Sequence, residues 1–358
     1  MDTAPSLPPS APAATVRDIA KKTGVNPATV SRALRNHPNV APATRTRILA
    51  EAQKAGYRSN ALVNALMAQV RQRHRLKPTG EVVAYLTSSR TEDAWRELPS
   101  HMQQFEGARE QARQFGFDLQ PMWLGSQCDR SAQAARMLRA RGIRGSLLAP
   151  VPLDHRSMQI DWSEHAVVSI GYSFRQVALH RAVHDCVSLA FACYSQLRKM
   201  GHRRIGLAIN TDGSNRVRHL WLAGFLMAQR VHGDDRTEPL LLADYSHKDP
   251  APFRCWLDGQ APDAVIGIWP DVQLDWIRDC GARVPEDVSY ASLDPGNRTG
   301  QLAGMLQDNH GVGTAAIDLL ASQLFRNEIG IPKTPTVTMI EGIWVDGPTV
   351  ARRKQAKH

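Results

Sequence analysis

The sequence predicts an all-α helix-turn-helix module at the N-terminus, followed by an α/β body of two doubly wound lobes. Three observations carry that prediction. Residues 15–35, TVRDIAKKTGVNPATVSRALR, have the spacing of two short helices around a tight turn. From residue 82 onward, short apolar runs alternate with amphipathic helical segments, the pattern of parallel sheets covered on both faces. Charge divides at the same place. The 358 residues include 44 Lys or Arg and 34 Asp or Glu; the first 79 hold 13 and 3 of these, a net of +10, which leaves 31 of each in the rest. A basic end on a neutral body is the footprint of a protein that neutralises phosphates at one end.

The elements follow in order. The first fourteen residues, MDTAPSLPPSAPAA, are rich in Pro, Ala and Ser. With neither a basic start nor an apolar run, they are expected to be disordered rather than a signal peptide. Val16, Ile19 and Ala20 share one face of the first helix. Gly24 ends it, because glycine enters a left-handed cap without steric cost. Asn26 suits the N-cap of the next helix and Pro27 its first turn, where a missing N–H costs nothing. Val30, Ala33 and Leu34 face inward, while Ala28, Thr29, Ser31 and Arg32 face out. A helix this short, offering hydroxyls, a small side chain and an arginine, has the make-up of a recognition helix for the DNA major groove. An ordinary helical hairpin is the plainer alternative. Pro42-Ala43-Thr44 begins a third helix, with Ile48, Leu49 and Ala52 as its apolar face and Gly56 closing it.

Residues 60–68 carry Leu62, Val63, Leu66 and Met67 on one apolar face, but form too short a helix to stand alone. A basic linker runs from Arg71 to Pro78. Apolar runs at 82–86, 145–149, 166–170, 205–209, 264–268 and 288–293 then read as buried parallel strands. Amphipathic helices are expected at 101–115, 129–141, 187–200, 215–231, 271–280 and 311–327. About ten strands in all exceed one compact domain, hence two lobes.

Candidate chemistry is sparse. GHRRIG at 201–206 lacks the Lys-Ser/Thr of a phosphate loop and precedes a strand. His180 and His184 would share a helix face, as some zinc pairs do, but their segment reads as a loop-to-strand crossing without a third ligand. Five cysteines (Cys128, Cys186, Cys193, Cys255, Cys280) form no CxxC pair and suit a reducing cytoplasm. There is no nucleophile elbow, paired catalytic carboxylates or dinucleotide fingerprint, so no catalytic residue, metal or cofactor is expected. No stretch has the apolar length of a bilayer span.

The motifs TVRDIAKKTGV and TVSRAL, the pairs Thr44-Arg45 and Gly56-Tyr57, and the leucine-bearing segment after them resemble the lactose-repressor/galactose-repressor family of bacterial regulators. That match runs without a gap from Thr15 to Leu66. GHRRIG before a strand and VPEDVSYASLD at 284–294 resemble the family's effector-binding half, a periplasmic-binding-protein-like core. The resemblance implies a disordered tail at 1–14, a DNA-binding domain at 15–58, and a hinge helix and linker at 59–79. It implies lobes at 80–184 plus 309–330 and at 185–308 plus 331–350, with crossings near Asp185, Asp308 and Ile331, and a basic tail at 351–358.

The resemblance also implies roles. Pro27, Ala28 and Arg32 fall where base edges are read, and Thr15, Asn26, Thr29, Ser31, Thr44, Tyr57 and Asn60 where phosphates are contacted. Leu66 falls where a hinge leucine wedges into the minor groove, although Ser59 stands for a usual proline and Val63 for a usual alanine. The effector cleft, at the carboxyl ends of strands, would be lined by Ser88, Pro150, Tyr172, Asn210, Trp221, Trp269 and Asp294. Here the chain departs from the family. Trp221 replaces an arginine, Trp269-Pro270 an Asn-Asp pair, and Pro295 a second aspartate. The expected pocket is therefore more aromatic and poorer in donors, suited to stacking on a sugar or ring. Otherwise the indoles simply fill a collapsed cleft. The implied protein is a cytoplasmic repressor on pseudo-palindromic double-stranded DNA, modulated by a sugar or related metabolite. The tail ARRKQAKH lacks leucine heptads, so a homodimer rather than a tetramer is expected. The rival is a small-molecule-binding protein or degenerate sugar-processing enzyme on the same two-lobe fold, for which residues 15–66 would have no use.

Overall fold

The computed structural model describes residues 16–34, 40–55, 81–153, 157–233, 237–242 and 249–353. The N-terminal module consists of α1 (Val16–Thr23), α2 (Pro27–Leu34) and α3 (Pro42–Lys54). Gly24 adopts φ +68, which turns the chain between α1 and α2. Ile19, Ala20, Val30, Ala33, Val40, Ile48 and Ala52 close a small common core. Leu49, expected on the apolar face of α3, is instead 45% exposed. It lies one step around the helix from Ile48, roughly 100° off the stripe that Ile48 and Ala52 share.

The body contains two six-stranded sheets. The first holds β1 (Glu81–Thr87), β2 (Phe117–Trp123), β3 (Gly145–Leu148), β4 (Ala166–Ile170), β5 (His180–His184) and β11 (Val337–Ile340) in the order β11-β5-β4-β3-β1-β2, all parallel. The second holds β6 (Ile205–Asn210), β7 (Leu240–Leu242), β8 (Ala264–Gly267), β9 (Ser289–Ser292), β10 (Ala303–Leu306) and β12 (Ile343–Val345) in the order β12-β10-β9-β8-β6-β7. Only β12 runs antiparallel there, against β10. Both sheets share the 2-1-3-4-5 winding, with a switch point beside the first strand, where ligands of open α/β sheets bind.

Helices cover both faces of each sheet, so each sheet is buried between two apolar clusters. In chain order they are α4 (Pro99–Gln114), α5 (Ser131–Ala140), α6 (Cys186–Lys199), α7 (Thr211–Arg216), α8 (Leu220–His232), α9 (Ala251–Gln260), α10 (Pro270–Asp279) and α11 (Asn309–Arg326). The packing of α4 on α11 is backbone to backbone. A Cβ on Gly107 would sit 2.1 Å from the His310 carbonyl oxygen, and one on Gly313 would sit 1.9 Å from that of Gln104.

Several elements differ from the sequence expectation. β2 escapes apolar pattern because it is an edge strand, with Asp118 and Gln120 exposed and Pro121 tolerated there. β5, β10, β11 and β12 are short and polar-flanked, and α9 went unpredicted. The single helix expected at 215–231 is two, because Arg218 (φ 56) and His219 (φ 60) are both left-handed and interrupt it. The chain leaves the first sheet after His184 and returns after Leu306, where α11 packs on β4 and β5. The third passage lies at Glu341-Gly342 rather than near Ile331, since β11 is still hydrogen-bonded to β5 along its length.

Candidate nucleic-acid interface and inter-lobe cleft

The exposed surface of α2 begins with Asn26 and Pro27 and includes Arg32, while Thr29 and, on α3, Thr44 are half-buried. The inward residues Val30 and Ala33 are fully covered, so the helix is anchored to the module by that face. Lys22 on α1 pairs with Glu51 on α3 at 3.4 Å, and Arg45 donates to the Val40 carbonyl at 3.2 Å. These contacts brace the module behind α2. Thr15, Tyr57, Asn60 and Leu66 lie outside the described residues, as do the side chains of Ala28 and Ser31.

The expected cleft residues separate into three groups. Asn210 ends β6, and its side-chain oxygen caps α7 by accepting from the Gly213 N–H at 3.0 Å. Trp269, 46% exposed, points its indole N–H to the same oxygen at 3.5 Å. Trp221 is buried on α8, packs into the apolar cluster of the second sheet, and its indole N–H has no acceptor. These three belong to one side of the cleft. Tyr172 belongs to the other. It follows β4, is buried, and has Arg181 and Arg218 at 5.7 and 5.3 Å from its ring centroid.

The remaining expected residues do other things. The Ser88 hydroxyl is buried, donating to the Gly125 carbonyl at 2.7 Å and accepting from the Cys128 N–H at 3.3 Å, so it ties β1 to the loop after β2. Pro150 follows β3, with its ring beside Gly171. Asp294 accepts from the Gly296 N–H at 3.0 Å, and burial pushes its carboxyl up to about 6.

The segment 211–219 of the second lobe makes contacts across the cleft, and α4 also meets residues Gly296–Arg298. The Arg175 guanidinium donates to the Asn215 carbonyl, and Arg218 lies over Tyr172. His101, in the first turn of α4, is held down to about 4 by burial and then by the charge of Arg216. The cleft is therefore bounded by cations as well as indoles. Sequence reading missed Arg181, Arg216 and Arg218. The run Arg216-Val217-Arg218-His219 at the carboxyl side of β6 was the available signal.

His180 and His184 lie on a strand, where four residues span about 13 Å. They bind separately, His180 to Thr336 at 2.7 Å and His184 to Asn309 at 3.1 Å. Among the described residues no group of three His, Cys, Asp or Glu could hold a metal, and no helix is long and apolar enough to cross a membrane. GHRRIG has a packing role: buried His202 bonds the Ala351 carbonyl at 3.0 Å and so holds the C-terminal segment.

Comparison with known proteins bears on both parts. Residues 15–60 match the model for bacterial regulatory proteins of the lacI family, and residues 194–344 that of a periplasmic binding protein-like domain. Catabolite control protein A of Priestia megaterium is 40% identical over 55 residues, 15% of this chain and 17% of that protein. The HTH-type transcriptional regulator GalS of Salmonella typhimurium is 46% identical over 56 residues, covering 16% of each chain. Those two matches thus span about a sixth of either relative. The HTH-type transcriptional repressor CytR of Escherichia coli is 24% identical over 335 residues, 89% of this chain and 92% of the repressor. Among solved structures, a complex of the transcriptional regulator CelR with cellobiose has a TM-score of 0.60 at 20% identity, covering 94% of this chain and 99% of that one. The lac repressor dimer bound to operator and the anti-inducer ONPF has the same score and coverage at 19% identity. At these identities the structural likeness speaks for the fold.

Proposed function

The chain belongs to the lacI family of bacterial regulatory proteins, and from that premise we propose a sequence-specific transcriptional repressor whose hold on its operator answers to a small molecule between the lobes. The observation that carries this is α2, anchored by Val30 and Ala33 with Pro27 and Arg32 exposed, within the first 79 residues that together hold all of the chain's excess positive charge. Phosphate contacts position such a module and base contacts specify its site. In this reading Pro27, Ala28 and Arg32 meet base edges, and Thr15, Asn26, Thr29, Ser31, Thr44, Tyr57 and Asn60 meet phosphates. Leu66 wedges into a central step of the minor groove.

One module covers one half-site, so the working form is a homodimer on a pseudo-palindrome in the cytoplasm. The name of CytR supports a repressor, and the cellobiose held by CelR supports a sugar or related metabolite as effector. The chain's role is regulation rather than catalysis, as for its relatives. An effector that binds two lobe arrangements unequally shifts their populations, and with them the spacing of the paired DNA-binding modules.

The test is selection of bound DNA from a random pool with the full chain, followed by a metabolite thermal-shift screen. An enriched pseudo-palindrome is expected; an unenriched pool overturns the DNA reading. A screen in which no metabolite shifts the melting temperature overturns the effector reading.

A further inference from the structure

Two guanidiniums of the cleft gather at one tyrosine ring. Arg181, on β5, is only 5% exposed, and its Nη1 is shut from solvent without a hydrogen-bond partner. Across the cleft, Arg218 of the second lobe approaches the same tyrosine ring, so two guanidiniums flank Tyr172. Burial lowers the pKa of Arg181, the charge of Arg218 lowers it further, and Tyr172 is the one group that opposes them. Asp185, an acid whose charge acts on that tyrosine, has one carboxylate oxygen engaged in capping α6 through the Ser188 N–H at 3.1 Å. Arg216, in the same loop as Arg218, has Asp212 as its counter-charge.

A buried guanidinium with an idle donor beside a like charge is unfavourable by itself. The backbone sustains the arrangement at some cost: Arg218 and His219 both hold left-handed conformations that side chains rarely adopt. Arginine's planar fork matches carboxylate and phosphate oxygens in pairs, which a neutral hydroxyl group cannot do.

We propose that the effector carries an anionic oxyacid group, phosphate or carboxylate, bridging Arg181 of the first lobe and Arg218 of the second. This rests on the reading of the cleft as an effector site. Such a ligand neutralises both guanidiniums at once and holds the lobes together across Tyr172. Its remaining body faces Trp221, Trp269 and Asn210.

The test is calorimetric titration of the full chain with inorganic phosphate, glucose 6-phosphate and glucuronate, with glucose as the neutral arm, at matched ionic strength. At least one anionic probe is expected to bind once per chain, at least about tenfold more tightly than glucose. Arg218→Ala and Arg181→Met should each weaken that binding about tenfold or more, with circular-dichroism melting as the check that each variant is folded. If Arg181→Met does not fold, the exposed Arg218 decides alone. Preference for glucose 6-phosphate over glucuronate identifies phosphate as the group, and the reverse identifies carboxylate. Glucose binding as tightly as its derivatives, no binding by any probe, or an anion affinity unchanged in Arg218→Ala overturns the proposal. A neutral metabolite from the wider screen that binds and changes operator affinity overturns the anionic group and leaves the effector reading standing.

Discussion

His184 Nε2 and Asn309 Oδ1 meet at 3.1 Å, joining the last residue of β5 to the first of α11. The same oxygen accepts from Gln104 Nε2 on α4 at 3.2 Å, and Asn309 also bonds the Asp294 carboxyl beyond β9. One buried amide thus ties both sheets together where the chain passes between lobes. The other ring nitrogen of His184 has no partner, and burial holds the ring below the usual histidine range, so its single proton sits on Nε2.

The pH response of this junction follows from Asp294. Its carboxyl is raised by burial from 3.8 to about 6, so the folded state holds the proton more tightly than the unfolded chain. The associated stability is full below 3.8 and is lost as pH rises through about 6. Asp294→Asn cannot ionise and should be more stable than the parent near neutral pH by up to about 3 kcal/mol, an advantage that fades on acidification. Denaturant titrations at neutral and acidic pH measure this. A difference independent of pH would contradict the burial of the charge.

For base reading, Arg32→Ala is the informative change. An arginine can donate bidentately to guanine O6 and N7, worth about 1–3 kcal/mol of discrimination. The variant should lose preference at one symmetric base pair of each half-site and keep it elsewhere. Pro27 and Ala28 offer no side-chain donor, so their positions should track shape or a thymine methyl. A mutant that selects the parental sequence sinks the assignment.

Binding should depend steeply on salt. With about 6–10 phosphates neutralised by paired basic modules, affinity is expected to fall by roughly 10³–10⁵ between 50 and 200 mM salt. Fluorescence anisotropy with a labelled operator reads this directly; a flat response would remove DNA as the partner of the basic segment.

Ile48→Ala tests the core of the module. Ile48 is fully buried against Ile19, Val30, Val40 and Ala52, and its truncation should cost about 2–5 kcal/mol. A core so small has little in reserve. Operator binding should fail while the two-lobe body keeps its own calorimetric transition. Undiminished operator binding would show that the module does not depend on this contact.

For assembly, light scattering of the full chain at micromolar concentration should report a dimer. A stable monomer or tetramer would contradict the half-site geometry.

The sequence by itself determined the parts whose information is local. Helix spacing, the glycine at 24 with its φ of +68, and the inward residues Val30 and Ala33 are set within a turn or two of chain, so they could be read in order. The buried central strands were legible too, because a strand covered on both faces is a continuous apolar run. Edge and crossing strands were not. β2 faces solvent and alternates, while β11 and β12 are a few residues each, held by partners distant in sequence. The bend that separates α7 from α8 left no propensity signal, since Arg218 and His219 adopt left-handed geometry against their own preference. The three tryptophan and proline departures suggested a donor-poor pocket. Only the folding of β5 against the loop after β6 brought Arg181 and Arg218 to one tyrosine ring. Charges that close on each other from different lobes are decided by how the sheets meet. No spacing along the chain encodes that, because the contact energy belongs to groups whose separation is fixed only by the tertiary structure.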